Sequence, residues 1–538
     1  MNTLGPLLRL RLRRDRVQLP IWFAAFVALA LFAPAAVAAT LGTVTEREAL
    51  VRIAVGSPTI LIFRGEPQGA EADALVFFLL FAFLATLVAF MITFLAVRHS
   101  RTEEESGRAE SIAATPAGRL LPLLATALHG VGASLAAGAA VALGLVLAGL
   151  EGAGSVTTGA AIAGTGIAFL GVGLLAGRLM RTSRGANGLA AAVIGVAYAL
   201  RAAGDAGGTP SADGLSLTSA WPSWLSPIGW GQRTAAFTAN EPAPLLLDLA
   251  LAAALFTVVV LLQSSRDIGS SVIAERAGPA HGPRTLGGST GLAWRLQRGA
   301  IVGWAIAGLV FGLLAGTLGE TVVELVRSNS QMGAVLAGLA GGRGSIIDTF
   351  TAAIFGLVGV IAAAAGTQAM IRMRQEEASG SAEVLLALPL HRARWILDYI
   401  LIGAVAIAFV LAAATGGAAV GFTRSADAAE RAASAVESGF AQVPAALLIL
   451  AIAALLFAVI PRLAVGLSWG VLLVSVFIGQ FGELFNLPDW MITLSPFTHT
   501  PAVGTADVDW SGSWWMLALA LLVGALAVGA LRRRDLAL

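Results

Sequence analysis

The sequence predicts an all-α polytopic membrane protein of about twelve transmembrane helices, arranged as two parallel six-helix repeats. Three observations carry that expectation. The 538-residue chain is 57% hydrophobic and only 12% charged, where a soluble domain carries about 25% charge. Its apolar residues fall in runs of roughly 20, the length that crosses a bilayer. Two charged stretches, far apart in the chain, repeat one another.

In order, spans are expected at 19–39, 75–97, 120–149, 158–177, 187–203, 244–263, 300–318, 349–371, 395–421, 443–460, 463–482 and 513–531. The run at 187–203 is the shortest, and Pro461-Arg462 divides the tenth span from the eleventh. With the N-terminus cytoplasmic, 25 of the 34 basic residues fall in inside segments, and basic residues are retained on that side. The chain is therefore expected in the plasma membrane with both termini cytoplasmic. The Arg-rich start and the "APAAVAA" that closes the first run also have the form of a cleaved signal. The similar start "RLQRGAIVGW" (295–304), against "RRDRVQLPIW" (13–22), favours a span, because a mid-chain copy is no signal.

Composition excludes several chemistries. All basic residues are Arg, with no Lys. A P-loop needs its Lys on the β/γ-phosphates, so ATP hydrolysis has to sit on another polypeptide. The absence of Cys rules out disulfides and thiolate metal sites. The five His residues (His99, His129, His281, His391, His499) show no metal-ligand spacing. The arginines lie in short inter-span loops, which is not a nucleic-acid footprint.

Residues 101–119 read "RTEEESGRAESIAATPAGR" and residues 374–392 read "RQEEASGSAEVLLALPLHR". Ten of nineteen positions agree without a gap, most of them Glu, Gly, Ser, Pro and Arg, which Ala and Leu bias cannot produce. "WLSPIGW" (224–230) is echoed by "TLSPFTH" (493–499), and "SSRDIG" (264–269) by "RRRDLA" (532–537). The halves are 1–285 and 286–538, joined by the Gly- and Pro-rich "ERAGPAHGPRTLGGSTG" (275–291). Six spans per half make the repeats parallel, with a pathway expected between them. Each charged stretch lies on the cytoplasmic side between the second and third spans of its half. A solvated loop needs only Arg for topology; a repeated Glu-Glu/Gly/Glu/Pro/Arg order points to a handle that a partner grips.

These two loops resemble that of the ABC-2 type transporter permeases, in which Glu, Gly, Glu, small apolar residues, Pro and Arg join the second and third helices. The resemblance extends to the whole architecture and is closest to the fused, duplicated actinobacterial permeases described as antibiotic (tetronasin-type) or multidrug exporters. It implies a type V exporter fold and two copies of a separate nucleotide-binding (ATPase) subunit that bind ATP and Mg, with no cofactor on this chain and no enzyme activity of its own. It implies "elbow" segments at Leu8–Leu19 and Leu292–Val302 along the inner leaflet. The coupling positions it carries over are Glu103, Glu104, Gly107, Glu110, Pro116 and Arg119, with Glu376, Glu377, Gly380, Glu383, Pro389 and Arg392. This chain departs from the family at Arg108 and Ser381, where many relatives have Thr.

An importer permease is a rival reading, but there Gly follows the Glu-Ala-Ala, whereas here Gly107 precedes Glu110. Lipid or glycan export is a further alternative. A secondary antiporter needs ionisable groups within spans; Asp248 and Asp398 lie near span ends, where water is expected to reach. A membrane glycosyltransferase is represented by "EAD" (71–73), which also reads as solvated topology residues. The apolar spans suit large hydrophobic or amphipathic cargo, with Thr86, Thr93, His129, Thr367 and Gln368 as candidate polar contacts, although such residues commonly bond a neighbouring helix. Trp221, Trp224, Trp230, Trp490, Trp510, Trp514 and Trp515 read as interfacial belts. Gly173xxxGly177 and Gly417xxxGly421 read as close-packing motifs.

Overall fold

In lipid every backbone N–H and C=O must be satisfied within the chain, so long apolar runs fold as helices. The computed structural model describes residues 4–115, 118, 120–264, 272–273, 288–328, 346–425, 427–481, 488–501, 503 and 508–535. The chain forms two compact units, Met1–Ala277 and Gly278–Leu538. Residues 275–287 of the expected join at 275–291 lie outside the described residues, as do Pro116 and Arg119.

The first unit contains α1 (Leu4–Asp15), α2 (Gln18–Thr40), α3 (Val44–Gly56), α4 (Pro58–Arg64), α5 (Ala72–Arg98), α6 (Arg101–Glu105), α7 (Arg108–Ala113), α8 (Leu120–Leu147), α9 (Gly152–Leu179), α10 (Ser183–Ala206), α11 (Pro227–Gln232) and α12 (Leu245–Ser264). A two-residue hairpin, β1 (Thr209–Pro210) with β2 (Leu217–Thr218), pairs Thr209 with Thr218. The second unit contains α13 (Ser289–Ser328), α14 (Ile346–Ala378), α15 (Ser381–Leu386), α16 (Arg392–Gly421), α17 (Ala428–Val459), α18 (Ala464–Phe481), α19 (Asp489–Ile492) and α20 (Ser511–Arg533).

Among the described residues, eleven helices are long and apolar enough to cross a membrane, so the chain is an all-α multi-pass membrane protein. The short run at 187–203 fills out to a 24-residue helix, α10. The break expected at Pro461-Arg462 separates α17 from α18, and the apolar part of α18 is the shorter twelfth segment. In the first unit α5 and α9 are mostly buried, whereas few residues of α2 and α12 are; in the second, α17 is mostly buried and few residues of α20 are. The apolar side chains of the outlying helices, such as Leu246, Leu261, Leu521 and Leu522, are exposed, as a lipid-facing surface requires. The elbow segments differ: α1 breaks from α2 at Arg16-Val17, whereas α13 runs unbroken for 40 residues.

In the first unit, α4, the start of the following connection, α10 and the segment through α11 fold around a buried polar knot. Arg201 and Asp205, both fully buried, pair at 2.9 Å across one turn of α10. Arg201 also donates to the carbonyls of Leu61 and Ile62 and lies 4.4 Å over the Tyr198 ring. The Ser219 hydroxyl bonds Glu66 and Asp205, and Gln232 donates to Asp205 at 3.0 Å. One guanidinium thus serves one carboxylate and two carbonyls, and Ser219 links that carboxylate to Glu66. Arg201→Ala leaves these buried acceptors uncompensated and is expected to cost about 3–5 kcal/mol, read as a lowered thermal midpoint in detergent; Arg201→Lys should recover only part of it, because an ammonium lacks the forked donor geometry.

Candidate functional site

The two charged loops fold alike because each needs one reversal that only glycine makes cheaply. In the first unit α5 ends at Arg98, α6 adds one turn, and Gly107 at φ +71° turns the chain into α7. In the second, α14 runs straight through to Ala378, and Gly380 at φ +76° turns it into α15. The local hydrogen bonds match: Gly107 N–H to Glu104 C=O at 3.2 Å, and Gly380 N–H to Glu377 C=O at 3.1 Å. No atom lies within 4 Å of a Cβ built at either glycine, so the requirement is dihedral rather than steric. Gly107→Ala and Gly380→Ala are each expected to destabilise their handle by about 1–2 kcal/mol, seen as faster amide exchange in 101–115 or 374–388 with global stability little changed.

The acidic residues divide into two sets. Glu104 lies between Arg101 (2.5 Å) and Arg178 of α9; Glu377 lies between Arg374 (3.3 Å) and Arg534, just beyond α20. Glu103 is buried and pairs with Arg14 and with Arg108 (3.3 Å), and Glu376 is buried beside Arg372 (3.8 Å). These four carboxylates tie each handle to its own unit. Glu110 and Glu383, in the first turns of α7 and α15, are exposed. Pro389 is exposed, and Arg392 opens α16 and donates to the Arg534 carbonyl. The exposed surface of each loop is therefore the outer face of α7 and α15 rather than the paired Glu-Glu that precedes it.

A second device, absent from the sequence reading, pins α1 to the end of α5 and to α8. Asp15 Oδ2 accepts from His99 Nε2 at 2.6 Å and His129 Nε2 at 2.8 Å, and Arg98 lies 3.0 Å from Oδ1. Arg11 adds bonds to the Pro122 carbonyl (2.7 Å) and the Thr126 hydroxyl (2.8 Å) of α8. Burial, then Arg14 beside it, draws the Arg11 guanidinium down to about 10, against Asp15, which raises it. The second unit reverses the polarity: Asp398 of α16 accepts from Ser289 and Thr290 (2.6 Å) at the start of α13, with Arg394 at 3.1 Å. The signal for the first pin was available, since Asp15 is the one acidic residue in an Arg-rich start. His129, a candidate cargo contact, is one of its two imidazoles.

Among the described residues, Asp15, His99 and His129 also form the group whose ligand atoms lie close enough to hold a metal ion, all within 4.8 Å. Both imidazoles point at one oxygen at hydrogen-bond lengths, and Arg98 and Arg11 add positive charge beside it. That arrangement is a hydrogen-bonded pin and opposes a dication. Burial raises the Asp15 carboxyl, but hydrogen bonds from His129 and His99, with the charges of His99 and Arg98, outweigh it and hold the group below the usual carboxylate range. A carboxyl lowered in the fold stabilises it above the ordinary value of about 4, and the contribution fades as pH falls through the folded value. Asp15→Asn should therefore lower the thermal midpoint at pH 7, with the gap to wild type narrowing below about pH 4.

The other cargo candidates are engaged locally. Thr86 and Thr93 donate to the carbonyls of Ala82 and Ala89 on their own helix, and Gln368 accepts from Trp304 Nε1 at 2.5 Å. Thr367 is fully buried with its hydroxyl unpartnered among the described residues. Asp73, of the "EAD" stretch, accepts from the Glu151 backbone N–H at 3.0 Å, beside the start of α9. Asp248 and Asp398 are not reached by water as their position at span ends led us to expect: Asp248 is 0% exposed and Asp398 2%. Asp248 packs against Gly164 of α9, which has no side chain to keep it away. A cavity of about 70 Å³ lies under the first handle, lined by Arg14, Glu103, Ile112, Leu123 and Arg178, room for water and not for a drug.

Comparison with known proteins gives two matches. Residues 286–532 match the family described as "Multidrug efflux system permease Rv1217c, C-terminal domain". The chain is 34% identical over 537 residues, 99% of its length and 95% of the relative's, to the "Multidrug efflux system permease protein Rv1217c" of Mycobacterium tuberculosis.

Proposed function

Because the chain belongs to the family of multidrug efflux system permeases, we propose that it is the membrane subunit of an ATP-driven exporter that moves hydrophobic or amphipathic compounds out of the cell. Two copies of a separate ATPase subunit, which bind ATP and Mg, grip the handles at 101–119 and 374–392 from the cytoplasmic side, where both termini also lie. The observation that carries this reading is the matched pair of handles: the same turn, the same left-handed glycine and the same inward carboxylate, each ending with an exposed glutamate. Force applied to a handle passes to the span that precedes it and, in the first unit, through the Asp15 pin to α1.

A secondary antiporter is the second reading, and Asp248 favours it. Both of its carboxylate oxygens are buried within a span and lack a hydrogen-bond partner among the described residues, which is the usual mark of an ion pathway. Proteoliposomes separate the two. The permease, reconstituted with a P-loop ATPase subunit that copurifies with it, should accumulate a lipophilic dye only when Mg-ATP is supplied. Accumulation driven by a proton gradient, in permease-only vesicles, would overturn the ATP-driven reading.

A further inference from the structure

The two handles share a backbone but present different chemistry. Position for position, Arg108, Ser111 and Thr115 of the first correspond to Ser381, Val384 and Leu388 of the second. On the first handle Glu105, Arg108, Glu110, Ser111 and Thr115 are all exposed. On the second, Val384 is 73% exposed and Leu388 61%. Val384 lies on α15 and Leu388 in the turn just past its end, both beside the exposed Glu383. Their neighbours Ala382, Leu386 and Leu390 pack into the core of the unit, so the outward pair is surplus to folding.

Resting on the reading that an ATPase subunit docks on each handle, we propose that the two docks are inequivalent. The second handle binds its ATPase subunit by inserting Val384 and Leu388 into an apolar groove. The first binds an identical subunit through charges on Arg108 and Glu110. Burying two aliphatic side chains contributes affinity that salt does not screen. Exposed ion pairs contribute little and are screened within about 8–10 Å at ordinary ionic strength. The second handle therefore holds most of the affinity and is occupied first, and the first handle closes the complex afterwards. The occupant is the ATPase, not the bilayer, because the pair lies at the place in the second unit where Ser111 and Thr115 lie in the first, and those polar residues would not enter lipid.

The test uses the full chain in lipid nanodiscs and a P-loop ATPase subunit that copurifies with it, with binding followed by interferometry at low and high salt. Wild type should show one salt-resistant and one salt-sensitive site. Val384→Ser with Leu388→Thr should abolish the salt-resistant site, with a fall in affinity of about 10-fold or more. Arg108→Ser with Glu110→Ser should remove only the salt-sensitive site. Ser111→Val with Thr115→Leu should make the first handle salt-resistant, a gain that a misfolded protein cannot mimic. Unchanged ATPase binding by the Val384/Leu388 variant overturns the proposal and assigns the pair to the membrane surface. Two sites of equal salt dependence in wild type also overturn it. Failure of wild type to bind any ATPase overturns instead the reading on which it rests.

Discussion

Cells carrying Glu110→Arg together with Glu383→Arg are expected to lose efflux down to the level of a strain lacking the chain, while the protein remains inserted and present in normal amount. Both side chains are exposed and neither forms an ion pair among the described residues, so the change is borne by the surface, where substitutions usually alter stability by less than about 0.5 kcal/mol. An acid in the first turn of a short helix adds a further few tenths to 1 kcal/mol through the helix dipole, and that much is forfeited. Docking is another matter. A reversed charge at a contact that was matched costs several kcal/mol, and here it is reversed at both handles. The inward carboxylates provide the contrast. Glu104→Arg would set a third positive group between Arg101 and Arg178 and is expected to unfold the handle and reduce the amount of protein. Dye efflux in intact cells, normalised to membrane-localised protein, separates the outcomes. ATP-dependent efflux at the wild-type rate from a well-expressed double variant would remove the handles from the mechanism.

The handles were legible because their signal is compositional. Charged residues, Gly and Pro stand out against hydrocarbon, and a second copy at constant offset turns a run of charge into a motif. The division of labour within them was not legible. Glu104 and Glu110 look alike in the sequence, yet the partner that turns Glu104 inward, Arg178, lies 74 residues away, and the partner of Glu377, Arg534, lies 157 away. Nothing local specifies such pairings. The same limit hid the Asp15 pin, whose three members come from α1, the end of α5 and α8. Span existence followed from hydropathy, whereas their capping did not: α10 begins at Ser183, four residues before its apolar run, capped by Thr182, whose hydroxyl accepts from the Gly185 N–H. Burial of Asp248 was also invisible, since position near a span end says nothing about which helix covers it.

Gly312→Val is expected to be the most disruptive single apolar substitution in the second unit. Helix α13 lies against α16 along a row of glycines at positions 308, 312 and 316. A Cβ at Gly312 would meet the Ala414 carbonyl oxygen at 1.9 Å, and one at Gly308 or Gly316 would meet the carbonyl of Val410 or Ala418 at 2.5 Å. The contact is returned from the other side, where Gly417 faces the Leu309 carbonyl at 2.4 Å. These neighbours are backbone, so no rotamer change relieves the clash and the helices have to separate. Within lipid, helix association depends on such close van der Waals contact and not on apolar burial. Overpacking of this kind costs about 1–3 kcal/mol, occasionally more. Gly303→Val on the same helix is the control, because its Cβ would meet nothing within 4 Å; it carries the same change in helix propensity without the clash. A thermal midpoint for Gly312→Val well below that of Gly303→Val is the expected result, and equal midpoints would show that the seam is not tight. The seam also bears on transport. α16 follows the second handle directly and α13 begins at the Asp398 pin, so a separated pair would let the handle move without carrying α13 along. Efflux should therefore fall further than the loss of folded protein alone accounts for.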